Sequence, residues 1–119
     1  MRQVLVDARN VLRSQWPNIP EPELVERIGA WAASEDVEVV IVFDGHAPPA
    51  AELDERCSLV GSGRESADDW LIRKAAELRE AGEPFWLVTS DRALRAAAAS
   101  GAERVIGGGR FARQLPEAK

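Results

Sequence analysis

Three short apolar runs in this chain are each followed closely by an aspartate. They are Val4-Leu5-Val6 before Asp7, residues 37–43 before Asp44, and residues 85–88 before Thr89-Ser90-Asp91. Runs this brief, rich in β-branched residues, fit strands buried on both faces. Between them the period changes to that of a helix. From Glu23 onward, Leu24, Ile28 and Trp31 form one apolar stripe, with Glu23, Glu26 and Arg27 outside it. Ser66 reads as the N-cap of a second helix, with Asp69 three residues on, Leu71, Ala75 and Leu78 facing inward, and Gly82 as its stop. Residues 92–100 are Ala-rich and helical, closed by Gly101. Shorter strands are expected at residues 57–60 and 105–106. Residues 46–49 read as loop, 50–56 as a weak helical turn, Gly107-Gly108-Gly109 as a flexible turn, and 110–115 as a short final helix or tail. Strands alternating with helices predict an α/β fold, a Rossmann-like three-layer αβα sandwich on a mainly parallel sheet of about five strands. A chain of 119 residues fits one such domain, residues 1–119.

In an open parallel sheet, ligands bind beyond the carboxyl ends of the strands. Asp7, Asp44 and Asp91 are all expected on that edge. The helix opened by Ser66 adds Asp68 and Asp69 in its first turn, with Glu65 just before. Each acid has a structural explanation of its own. Acids are favoured in a first helical turn, Asp91 can cap the next helix, Asp44-Gly45 is a turn pair, and Asp7 can start an Asx turn. Gathered together, carboxylates repel one another and must either protonate or share a cation. A hard divalent ion with oxygen ligands, Mg²⁺ or Mn²⁺, fits that demand.

Composition narrows the chemistry. A net charge of -5 and a pI of about 4.9 exclude a basic protein that coats nucleic acid through bulk charge. One cysteine, Cys57, excludes an intramolecular disulfide and a cysteine-based zinc site. One histidine, His46, excludes Ser-His and Cys-His catalysis unless it is itself the base. The N-terminus lacks the apolar core of a signal peptide, and no stretch approaches a membrane span. A cytoplasmic protein with no membrane partner is the expectation. No phosphate-binding GxxxxGK[ST] loop exists, the acid after the first strand stands in Asp7-Ala8-Arg9 rather than Asp-x-Asp, and no lysine ends a strand. These absences count against a nucleoside triphosphatase, a haloacid-dehalogenase phosphatase and a receiver domain.

Four segments, in order, carry a resemblance: Asp7-Ala8-Arg9-Asn10-Val11, Phe43-Asp44-Gly45, Ala67-Asp68-Asp69-Trp70 and Thr89-Ser90-Asp91. Together they resemble the PIN-like nuclease superfamily, specifically the NYN group and its YacP-like branch, from Val4 to about Leu115. The first motif departs from the group's usual Asp-Gly-Tyr-Asn at Ala8 and Arg9. The resemblance implies a ribonuclease dependent on Mg²⁺ or Mn²⁺, with Asp7, Asp44, Asp68 and Asp91 as its acidic centre and Asp69 as either a further metal ligand or an acid that supports the ligands. It implies that Asn10 orients a ligand or touches phosphate and that Ser90 supports Asp91. The implied substrate is single-stranded RNA, with the ribosome or another protein as a further partner, and a monomer or weak homodimer as the expected state. A second reading keeps the fold without the chemistry, as a non-catalytic NYN-like module for RNA or protein.

An acidic nuclease still has to hold an anionic strand. Of the 15 basic residues only Lys74 and Lys119 are lysines. Arg9, Arg13, Arg64, Arg92, Arg110 and Arg113 fall in or near segments expected at the carboxyl edge, where guanidinium groups hold phosphates bidentately. Trp16, in a proline-rich loop, is a candidate stacking platform, while Trp31, Trp70 and Trp86 read as core.

Overall fold

A computed structural model describes residues 2–49 and 55–117 of the chain. Its elements run β1 (Gln3–Asp7), α1 (Ala8–Leu12), α2 (Glu21–Glu35), β2 (Glu38–Phe43), β3 (Cys57–Gly61), α3 (Ala67–Glu80), β4 (Phe85–Val88), α4 (Arg92–Ala98), β5 (Arg104–Ile106) and α5 (Gly108–Gln114). The five strands form one sheet in the order β3-β2-β1-β4-β5, and every neighbouring pair is parallel. The chain winds outward from β1 to one edge and returns to build the other half from β4. The switch point is therefore the crevice between β1 and β4, where such sheets bind ligands.

Alternation along the strands explains the layers. Val4 and Val6 join a core with Leu24, Ile28, Trp31 and Phe111, so α2 and α5 cover one face. Leu5 points the other way, to a core with Leu71, Leu78, Phe85 and Leu94 beneath α3 and α4. Trp31 sets its ring edge-on to Phe111, with centroids 4.9 Å apart. These are the two cores of the expected three-layer sandwich.

The differences from the sequence reading are local. Helix α2 begins at Glu21 rather than Glu23, because Pro22 lies within its first turn, where its missing N–H costs nothing. Helix α4 ends at Ala98 rather than at Ser100. Helix α1 was not expected as a helix; it follows β1 directly, and Asp7 caps it by accepting the Asn10 N–H. The three glycines at 107–109 are not a flexible turn. Gly107 caps α5, and Gly108 and Gly109 are its first two residues. The turn proposed at residues 50–56 lies mostly outside the described residues; residues 55 and 56 are in a turn. Among the described residues no helix is long and apolar enough to cross a membrane.

Candidate active site

A cleft of about 740 Å³ opens at the carboxyl edge of the sheet. Asp7, Asp44, Asp68 and Asp91 line it, and Asn10, Ser90, Arg9 and Arg13 complete its chemically active wall. Each acid arrives on a different element. Asp7 ends β1 and is 6% exposed; its Oδ1 accepts the Asn10 N–H and its Oδ2 accepts the Thr89 hydroxyl at 3.0 Å. Asp44 follows β2, and its Oδ1 accepts the Ala67 N–H at the start of α3 at 3.0 Å. Asp91 caps α4 through the Leu94 N–H at 2.9 Å. Asp68 lies in the first turn of α3 and makes no hydrogen bond among the described residues.

The supporting contacts are as specific as the acids. Thr89 is fully buried and joins two of them: its hydroxyl donates to Asp7 and accepts the Asp91 N–H at 3.1 Å. Arg95 reaches back to accept no proton but to donate one, from Nε to the Thr89 carbonyl at 2.8 Å. The Ser62 hydroxyl accepts the Gly45 N–H at 2.9 Å and donates to the Glu65 carbonyl at 2.8 Å, tying the turn after Asp44 to the entry of α3. Gly61 leaves room for that turn, since a Cβ there would fall 2.6 Å from the Gly45 carbonyl.

Asn10 is held from two sides. Its Oδ1 accepts the Ser90 N–H at 2.9 Å, and the Ser90 hydroxyl accepts the Gly108 N–H at 2.8 Å. A backbone N–H can meet only the oxygen of a carboxamide, so the Asn10 amide nitrogen stays available as a donor.

The electrostatics are those of carboxylates without a counter-ion. Burial raises the Asp7 pKa above the ordinary carboxylate range, and Asp68 and Asp91 raise it further, against the lowering hydrogen bonds from Thr89 and Asn10. Asp68 is raised as well, first by burial and then by Asp91, Asp69 and Asp44, with Arg9 pulling the other way. Among the described residues no three His, Cys, Asp or Glu groups are drawn together tightly enough to grip one ion between them. The donor set still fits a hard divalent ion. The lining offers only oxygen ligands on the acids, and Mg²⁺ is usually held by one or two carboxylates, with water and substrate phosphates completing its shell.

Not every expected residue reaches the cleft. Asp69 is exposed and outside the lining, and acts on the cleft through its charge on Asp68. Arg64 and Arg92 are exposed and do not line it, while Arg9 and Arg13 do. Glu65 is paired with Arg73 at 2.6 Å. The expected support of Asp91 by Ser90 is corrected: the Thr89 hydroxyl supports Asp91, while Ser90 serves Asn10 and Gly108. Trp31 is in the core, Trp70 and Trp86 are half-buried, and Trp16 is 92% exposed. Sequence reasoning missed Thr89 and Gly108 as site residues. Their signals were the small hydroxyl residue before Ser90-Asp91 and a glycine run directly after the last strand.

A family model described as the YacP-like NYN domain matches residues 4–119. Among solved structures, Rae1 (YacP) from Bacillus subtilis superposes with a TM-score of 0.72 at 20% identity, covering 96% of this chain and 73% of that one. A mutant of the same protein gives 0.72 at 19% identity, covering 96% and 74%. No curated protein sequence matches the chain.

Proposed function

The chain belongs to the YacP-like NYN domain family, a nuclease-family domain, and we propose that it is a metal-dependent endoribonuclease acting on single-stranded RNA. The observation that carries this reading is the cleft at the switch point. Four aspartates line it, two of them with raised pKa values, beside two arginines whose side chains make no ion pair or hydrogen bond among the described residues. Such an arrangement costs stability in the absence of a cation, and perturbed carboxylates in a cleft mark functional sites.

In this reading Asp7, Asp44, Asp68 and Asp91 would hold Mg²⁺ or Mn²⁺, with Asp69 adding negative charge from outside. Bound there, such an ion would provide an acidified water and offset charge on phosphoryl oxygens. The remaining work belongs to the chain's own groups. Thr89 fixes the rotamer of Asp7 and the entry of Asp91 into α4. The Asn10 amide nitrogen donates to a phosphate oxygen, with its orientation set by Ser90. Arg9 and Arg13 hold phosphates of the strand on either side of the cut, where planar guanidinium groups match phosphate oxygens. A histidine base is not required. The proposed partner is RNA and the proposed setting is the cytoplasm.

The test is cleavage of an unstructured RNA oligonucleotide. Cleavage is expected with MgCl₂ or MnCl₂ and none with EDTA. Asp7→Asn and Asp91→Asn should each slow it by at least about a hundredfold, the loss typical of removing one preorganised charge-stabilising group. Parent-like cleavage by both variants would overturn the assignment. A non-catalytic module would show no cleavage and no rise in Tm with Mn²⁺.

A further inference from the structure

A second cleft, of about 520 Å³, lies against the first and shares Arg9, Arg13 and Asp44 with it. We propose that it seats the nucleotide next to the scissile phosphate and selects its base. The proposal rests on the nuclease reading and extends it to substrate choice.

Three parts of the cleft match three parts of a nucleotide. Leu12, Ile19 and Phe43 line it with apolar surface; Ile19 and Phe43 are 7% and 4% exposed, so they form a floor rather than a rim. An apolar floor can take the face of a base. Asn18, Glu21 and His46 line the same cleft and are exposed, offering an amide, a carboxylate and an imidazole to the edge of that base. A carboxylate accepts from ring N–H and exocyclic amino groups, and an amide both donates and accepts, so these side chains can distinguish bases by their hydrogen-bonding edges. Arg9, in α1, and Arg13, its C-cap, are one helical turn apart and form the shared wall. Residues four apart lie on one helix face, and both of these side chains line both clefts. None of the other arginines lines either cleft, and several are committed elsewhere: Arg2 to Glu103, Arg27 to the carbonyls of Ala112 and Pro116, Arg56 to Asp36, Arg73 to Glu65 and Arg95 to Thr89. The side chains of Arg9 and Arg13 make no hydrogen bond or close ion pair among the described residues, Arg9 acting on Asp68 only through its charge, and the phosphates that lead from one cleft to the other supply partners for both. The volume lies within the range of about 300–1,000 Å³ usual for small-ligand sites.

The experiment has a binding arm and a cleavage arm. In the first, each of the four nucleoside 5′-monophosphates is titrated into the metal-free protein and followed by NMR. Shifts are expected at Leu12, Asn18 and His46, with one base favoured and affinity reduced at least fivefold in Asn18→Ala and in Arg13→Ala. Shifts confined to Asn10 and Asp68, or equal affinity in Asn18→Ala, would overturn the subsite. In the second arm, single-stranded RNAs varied at one position are cleaved by the parent, Asn18→Ala, Glu21→Gln and His46→Ala. The ratio of kcat/KM between best and worst base should fall at least fivefold in Asn18→Ala or Glu21→Gln, with cleavage of an RNA lacking the preferred base retained. All three side chains are exposed, so their loss leaves the core intact. Base preference unchanged in all three variants overturns the subsite while the nuclease reading stands. Nucleotide binding at the second cleft with no RNA cleavage by the parent overturns the nuclease reading instead.

Discussion

Asp68 stands in the first turn of α3 with no hydrogen bond among the described residues, against Asp7, Asp44 and Asp91 across one cleft. Its raised pKa means that the folded, metal-free protein holds this proton more tightly than the unfolded chain does. The sign of the stability effect follows. In the window between the unfolded pKa near 3.8 and the higher folded value, the folded state binds more protons, so stability is greatest below that window and is lost as pH rises through it. Asn at this position keeps the shape and removes the charge. Asp68→Asn is therefore expected to raise the Tm in EDTA at neutral pH by a few degrees, with the gap closing as pH falls towards 4 and the parent protonates. The same variant should lose the rise in Tm that Mn²⁺ gives the parent, since only a ligand of the native state stabilises it. Thermal melts at several pH values, with EDTA or Mn²⁺, check both. A Tm in EDTA that drops at neutral pH would mean that Asp68 has a structural partner. The acids themselves were readable in the sequence, because each terminates a strand or opens a helix. Thr89 was not singled out, because a hydroxyl that bridges two acids looks the same in sequence as one that ends a strand.

Helices α1 and α5 show where pattern reading runs out. Periodicity needs more than one turn to register, and α1 has five residues. The Asx turn allowed for at Asp7 is there, but it is the cap of a helix that carries Arg9, Asn10 and Arg13 to the cleft. Glycine is the poorest helix former after proline, so three in a row argue for a turn unless tertiary contact decides. Here it does. A Cβ on Gly108 would lie 2.1 Å from Asn10 Oδ1, so only glycine lets α5 begin against the Asn10 side chain. Ala at this position gains helix propensity and loses more to overlap; Gly108→Ala should cost about 1–3 kcal/mol, the usual range for overpacking. It should also weaken RNA cleavage by displacing Asn10 from Ser90. Removing the obstructing side chain should relieve the overlap, so in an Asn10→Ala background the same substitution should cost at least about 1 kcal/mol less, a coupling typical of residues in contact. Urea denaturation of the four chains measures this cycle. Independent costs would show that α5 does not bear on Asn10. The longer elements α2 and α3 and the buried strands were readable because each presents a full stripe or a continuous apolar run.

If a chain of net charge -5 engages RNA as proposed, it must do so through local charge. Composition argues against coating by bulk charge, and the cleft is lined by four aspartates and by Arg9 and Arg13. What composition could not tell was which arginines are spoken for, because a guanidinium that closes a helix end or pairs with Glu65 has the same spacing in sequence as one that faces a ligand. If the two arginines of the shared wall make the main phosphate contacts, counterion release sets a shallow salt dependence. Two contacts to a single strand give a log–log slope of about -1.4, or roughly a sevenfold loss of affinity between 50 and 200 mM salt. A basic coat with six to ten duplex contacts would lose about 10³–10⁵ over the same range. Fluorescence anisotropy of labelled single-stranded RNA with Asp7→Asn, at fixed Mg²⁺, measures the slope without cleavage. Arg13→Ala added to that chain should bring it to about -0.7, the slope of one remaining contact. A steep slope that Arg13→Ala leaves unchanged would place the RNA on another face of the protein.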